Sequence, residues 1–101
     1  MAEIVWTKLA TEQLERAVKY VLAEQGLFYA TIVYNGIIEK VDVLEKHPLI
    51  GQKEPLLKHK KSEYRYIVAW SYKIIYRVGI NSVVISRIFH TARNPTKIFK
   101  K

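Results

Sequence analysis

Residues 63–95, EYRYIVAWSYKIIYRVGINSVVISRIFHTARNP, constrain the fold more than any other part of the chain. They hold three stretches with strand chemistry, and the links between them are too short for a parallel crossover, which needs a dozen residues or more. Tyr64 to Trp70 is rich in β-branched and aromatic residues. Tyr72 to Val78 alternates, with Tyr72, Ile74, Tyr76 and Val78 on one side and Lys73, Ile75 and Arg77 on the other. Gly79-Ile80-Asn81 has turn chemistry, and Val83 to Phe89 is a third β-branched run. The expected result is an antiparallel meander. It ends in a polar tail of His90, Thr91, Arg93 and Asn94, stopped by Pro95.

A meander with apolar residues on one side needs a cover, and the upstream sequence offers one. Ala2 to Trp6 reads as a first strand, and Thr7 suits the N-cap of a helix that starts at Lys8. From Lys8 to Gln25, Leu14, Ala17, Val18, Val21 and Leu22 form one stripe of an amphipathic helix. Gly26 sits where a helix stops. A second helix is expected from about Phe28 to Lys46, with Ala30, Val33, Tyr34, Ile37, Ile38, Val41 and Leu44 at helical spacing. Gly36 inside it costs about 1 kcal/mol against Ala, which implies a packing reason for the glycine. Pro48 ends the helix by pushing His47 out of the helical region. Leu49 to Ser62 reads as a loop punctuated by Pro48, Gly51 and Pro55. The order is β-α-α-β-β-β, an α+β domain with a helical hairpin packed on one face of a twisted antiparallel sheet. The first strand belongs in that sheet at a position left open.

The 101 residues suit one domain over residues 1–101. No apolar run approaches the ~20 residues that span a bilayer. The opening MAEIVW lacks the regions of a signal peptide, so a cytoplasmic protein is expected. There is no cysteine, and His47 and His59 have no partners at ligand spacing, so no metal site is expected. The net charge of +8 is unevenly placed. Residues 1–46 balance to −2 and residues 47–101 to +10, which points to a polyanionic or acidic partner.

Strand parity sorts the sheet residues into candidates. In the last strand Val83, Ile85, Arg87 and Phe89 share a side, opposite Val84, Ser86, Ile88 and His90. The first set is more apolar and is assigned to the helices. Lys73, Ile75 and Arg77 then face outward. So does Arg65, which lies opposite Tyr64, Tyr66, Val68 and Trp70. The expected open face carries Arg65, Lys73, Arg77 and His90. Arg87 fits only if it snorkels past the sheet edge or a bulge shifts the parity.

Strand arginines suit phosphate, which their planar fork binds bidentately. They can stabilise charge on a phosphoryl group, but they do not serve as bases. His90, whose imidazole can give or take a proton near neutral pH, and Glu54 are the acid–base candidates. RNA cleavage by 2′-OH attack needs a base, a charge stabiliser and an acid. Glu54, Arg65 or Arg93, and His90 are the residues for those roles, without metal or cofactor. Lys53, Lys58, Lys60 and Lys61 of the loop, with Lys73, Arg77 and Arg87, would hold the RNA. The plainer reading makes the strand arginines solvated surface residues, His90 structural and Glu54 a turn former. Trp70 and Tyr72 would then be packing or interface residues.

In order and spacing, several pieces resemble the RelE/ParE family of toxins from type II toxin–antitoxin pairs. They are Trp6-Thr7 with Ala10 and Leu14, then Leu44 with Pro48 and Gly51, and Tyr64-Arg65. The run Tyr72 to Val78 comes next, then Val84-Ile85, His90-Thr91 and Arg93-Asn94-Pro95. The resemblance implies two helices on an antiparallel sheet and a cognate antitoxin as partner. It also implies one of two targets. RelE-like members cut mRNA on the ribosome, and ParE-like members block DNA gyrase without chemistry of their own. Arg65 resembles the strand arginine of the nucleases, and His90 matches the catalytic histidine of YoeB-type members. Glu54-Pro55-Leu56 resembles the loop that holds their glutamate. No tyrosine follows His90, as one does in the nucleases, and the ending from His90 to Pro95 looks more like ParE-type members. The expectation is a ribosome-associated mRNA endonuclease. Gyrase inhibition, or a non-toxic module binding RNA or an acidic protein, stands as the alternative.

Overall fold

The computed structural model describes residues 2–57 and 61–92. Strand β1, Glu3–Trp6, runs straight into helix α1, Lys8–Gln25. Thr7 makes the junction. Its Oγ1 accepts the Ala10 N–H at 3.1 Å as the N-cap and donates to the carbonyl of Ile85 at 2.8 Å, so one hydroxyl fixes both the helix start and its distance from the sheet. Gly26 has φ of +94°, a conformation open to glycine, and lets α2, Leu27–Val43, begin at once in the opposite direction. The expected end of α2 at Lys46 is three residues too late. The N–H groups of Lys46 and His47 both bond to Val43 O, closing the helix in a tight turn, while Glu45 O accepts the Ala2 N–H ahead of β1.

Strands β3 (Tyr64–Ala69), β4 (Tyr72–Gly79) and β5 (Ser82–His90) form the expected meander. The sheet has five strands in the order β1-β5-β4-β3-β2. It is mixed rather than antiparallel throughout, because β1 lies parallel to β5, with Ile4 beside Val83 and Trp6 beside Ile85. The outer edge strand β2, Gln52–Lys53, and a 3-10 turn at Pro55–Leu57 fall where the sequence pattern shows only a loop. A strand of two residues carries no alternation to detect.

The helices cover one face, where Ala10, Leu14, Ile37, Val41 and Leu44 pack on Ile74, Tyr76, Val83, Ile85 and Ile88. Burying each large aliphatic side chain contributes about 1.5–3 kcal/mol. The opposite face is not bare. Leu57, from the 3-10 turn, packs on Ile75 and Phe89, with Tyr64 and Tyr66 beside them. Gly36 has the packing reason its cost implies: the indole of Trp70 lies on it, and a Cβ there would collide with the ring. Among the described residues no helix is long and apolar enough to cross a membrane.

Two face assignments made from the sequence are corrected. Arg65 pairs with Tyr76 and Ile67 with Ile74, so Arg65 lies on the helix side, while Tyr64 and Tyr66 take the outer side with Ile75. Strand parity places these two tyrosines toward the helices; they pack under Leu57 instead. In β5 the register slips, with Ile75 opposite Arg87 but Tyr76 opposite Ile85. Ser86 is the extra residue of a bulge. Beyond it the parity inverts: Arg87 and Phe89 face outward, and Ile88 and His90 turn to the helix side. The bulge resolves the awkward placement of Arg87.

Candidate functional site

Arg65 enters β3 with its side chain aimed at the loop after α2. Nη1 donates to Gly51 O at 2.7 Å and Leu49 O at 3.3 Å, and Nη2 pairs with Glu63 at 2.5 Å. The Arg65 side chain is 15% exposed. Its two terminal nitrogens are engaged by backbone carbonyls and a neighbouring carboxylate, while the buried Nε has no hydrogen-bond partner among the described residues. Tyr76, directly opposite, holds the same loop, donating to Pro48 O at 2.8 Å and accepting the Gly51 N–H at 2.9 Å. Burial pushes the Tyr76 phenol up from its ordinary value, with the Gly51 bond and Arg65 opposing the shift.

Glu54 is 2% exposed. Its Oε1 meets Lys73 Nζ at 2.7 Å, and its Oε2 accepts the Leu56 N–H at 3.1 Å. Lys73 in turn lies 4.1 Å above the centre of the Tyr66 ring. Both Glu54 and Lys73 sit on the outer face, where they fasten the 3-10 turn to the sheet. A carboxylate so placed has its charge compensated within the protein.

His90 ends β5 opposite Tyr72, their rings edge to face at 5.4 Å. Its Nδ1 accepts the Ala92 N–H at 3.0 Å, so a neutral ring carries its proton on Nε2. It lines a hollow of about 430 Å³ with Arg16, Tyr20 and Tyr72. Burial raises the Tyr72 phenol above its ordinary value, and Tyr20 adds to the shift.

The structure therefore does not gather Arg65, Glu54 and His90 at one point. Arg65 belongs to the row of Tyr76 and His90 to the row of Tyr72. Four residues of strand separate the rows, about 13 Å at the usual rise, and Glu54 lies on the other face. Arg93, Lys58 and Lys60 lie outside the described residues. Lys53 is exposed on β2 opposite Arg65, and Lys61 is exposed just before β3. Arg77 and Arg87 are half-buried on the outer face, opposite Tyr64 and Ile75 respectively. Among the described residues no group of three His, Asp or Glu side chains is placed to hold a metal ion.

Sequence reasoning missed Arg16, Tyr20 and Gln13. Gln13 Oε1 accepts the Ile88 N–H at 2.7 Å, pinning α1 against β5 beyond the last β1 partner. The available signal was the spacing: Gln13, Arg16, Ala17 and Tyr20 share one helical face.

A family model described as "ParE toxin of type II toxin-antitoxin system, parDE" matches residues 4–95. Among solved structures, one described as "Chromosomal ParDE TA system from P. aeruginosa" superposes with a TM-score of 0.74 at 22% identity, covering 89% of this chain and 96% of that one. That likeness is one of fold. No curated protein matches the sequence.

Proposed function

The chain belongs to the ParE family of toxins of type II toxin–antitoxin systems, and from that premise we propose that its free form stops growth by binding DNA gyrase, with the cognate antitoxin holding it inactive. The toxin is then a binding protein whose effect comes from the chemistry of its target.

The observation that carries this reading is the dispersal of the candidate catalytic groups. Metal-independent RNA cleavage needs a base, an acid and a charge stabiliser within hydrogen-bond reach of one phosphate. Arg65 is bonded to Leu49 and Gly51, Glu54 is paired with Lys73 beneath the 3-10 turn, and His90 stands at the far end of the sheet. Each has a structural employment that accounts for its presence.

RNA cleavage is the second reading. It is favoured by the outer face, where Tyr64 and Tyr66 stand beside Lys73, Arg77 and Arg87. Rings and cations so interleaved suit a single-stranded RNA.

Induced expression in cells separates the two. Gyrase binding gives an SOS response with intact transcripts, and His90→Ala leaves the growth arrest unchanged. Transcripts cut on translating ribosomes, with no SOS response and rescue by His90→Ala, overturn it.

A further inference from the structure

Three large aliphatic side chains stand in solvent at the end of the sheet where α2 closes. Leu49 and Ile50, in the loop from α2 to β2, are 60% and 61% exposed, and Ile80, in the turn from β4 to β5, is 94% exposed. The loop and the turn are neighbours. Pro48 lines one hollow of about 440 Å³ with Val78, Gly79 and Asn81, and a second of about 370 Å³ with His47, Leu49 and Ile50. Single exposed aliphatics are ordinary on a protein surface, whereas several at one place mark an interaction site. Turns favour Gly, Asn, Asp and Ser, so turn chemistry does not account for Ile80.

The backbone beneath these side chains is fastened. Arg65 and Tyr76 hold the loop through four hydrogen bonds, and the Ile50 N–H donates to His47 O at 3.2 Å. In the turn, Gly79 pairs with Ser82, Asn81 takes a φ of 58°, and its carbonyl accepts the Glu3 N–H at 2.9 Å. Apolar side chains on a fixed backbone lose little freedom when a partner covers them. They project outward, so they fit a preformed concavity on a folded protein. Among the described residues, the charged side chains that line the two hollows are Glu45 and Lys46, which cancel. Charge at this end therefore attracts neither nucleic acid nor an acidic tail.

We propose that Leu49, Ile50 and Ile80 are the contact by which the toxin docks on DNA gyrase, seated together in an uncharged apolar pocket of that folded target. Rigidity and the balance of charge select this occupant: a fixed, neutral, projecting surface matches a preformed apolar pocket and gives a polyanion no hold. The proposal rests on the gyrase reading above and adds to it a place on the toxin.

The test uses the full-length toxin, its full-length antitoxin and reconstituted gyrase on plasmid DNA. Ile80→Asn puts a turn-favouring residue in the turn, and Leu49→Ser with Ile50→Ser changes only exposed side chains, so the fold and its melting temperature are kept. The triple variant is expected to need about 30-fold more toxin, or beyond, for half-inhibition of supercoiling, and Ile80→Asn alone about 5-fold, while antitoxin affinity by titration calorimetry stays within about twofold of the parent. A triple variant that inhibits gyrase at the parental concentration overturns the proposal. So does one that keeps gyrase inhibition but loses antitoxin binding or self-association, which assigns the surface to the antitoxin or to a second copy. Loss of gyrase inhibition and antitoxin binding together, at an unchanged melting temperature, overturns it too, because the surface is then not selective for gyrase. The parental toxin is the separate arm: if it leaves supercoiling undiminished, the gyrase reading itself fails, whereas inhibition by parent and variant alike removes only the docking surface.

Discussion

Arg65 and Tyr76 stand opposite one another across β3 and β4, and both are bonded to the loop that joins α2 to β2. Between them they engage Pro48 O, Leu49 O, Gly51 N–H and Gly51 O. A loop that closes over the end of a sheet must find partners for its backbone, and these two side chains supply them. Gly51 fits only because it has no side chain: a Cβ would stand 2.5 Å from Tyr66 O and 2.6 Å from the Tyr76 hydroxyl.

Replacing Arg65 by lysine keeps the charge and removes the fork. A lysine reaches one of the two carbonyls, so stability should fall by about 1–3 kcal/mol, the cost of an unsatisfied buried acceptor. Growth inhibition should weaken only as far as the folded fraction does. Urea unfolding alongside growth assays measures both. An Arg65→Lys protein as stable as the parent and yet harmless would place the guanidinium against the target instead.

Tyr76 makes stability sensitive to alkali. Burial favours the protonated phenol, so the folded chain keeps this proton to a higher pH than the unfolded chain does. Its contribution is fully present below the unfolded value near 10.0 and is lost as pH rises through the raised folded value. Tyr72 is shifted in the same direction. Tyr76→Phe should cost about 1–3 kcal/mol at neutral pH by stranding Gly51 N–H and Pro48 O. It should also make the alkaline fall in Tm shallower without abolishing it, which thermal melts from about pH 8 to 11 would reveal.

The sequence made much of the architecture legible through local chemistry. Thr7 and Gly26 mark the ends of α1, alternation in Tyr72 to Val78 marks β4, and the short links require a meander. The facing of the candidate residues was less legible, for two physical reasons. Both sheet faces bury apolar side chains, so Tyr64 and Tyr66 could satisfy the hydrophobic pattern on either side. The bulge at Ser86 inverts parity within β5, and nothing local to Ser86 announces it. Parity alone puts Arg65 and His90 outward, and both lie toward the helices. The place of β1 beside β5 depends on Thr7 and Ile85, 78 residues apart in sequence.

The Glu54–Lys73 pair should behave as a buried clasp. Lys73→Met leaves a fully buried carboxylate without its counter-charge and should cost about 3–5 kcal/mol. Glu54→Gln should cost less, because Lys73 is 20% exposed in its side chain and can reach water. The double replacement should be milder than the two single losses together. A double-mutant cycle in urea gives the coupling. Additive losses would mean that the two charges do not stabilise each other.

The most direct measurement is plasmid supercoiling by purified DNA gyrase with ATP, titrated with the toxin in the presence and absence of its antitoxin. If the toxin acts by binding, supercoiling falls and linear DNA from trapped gyrase complexes accumulates. Equimolar antitoxin prevents both, and mRNA on translating ribosomes stays whole. Undiminished supercoiling at excess toxin, together with cut ribosome-bound transcripts, would contradict it.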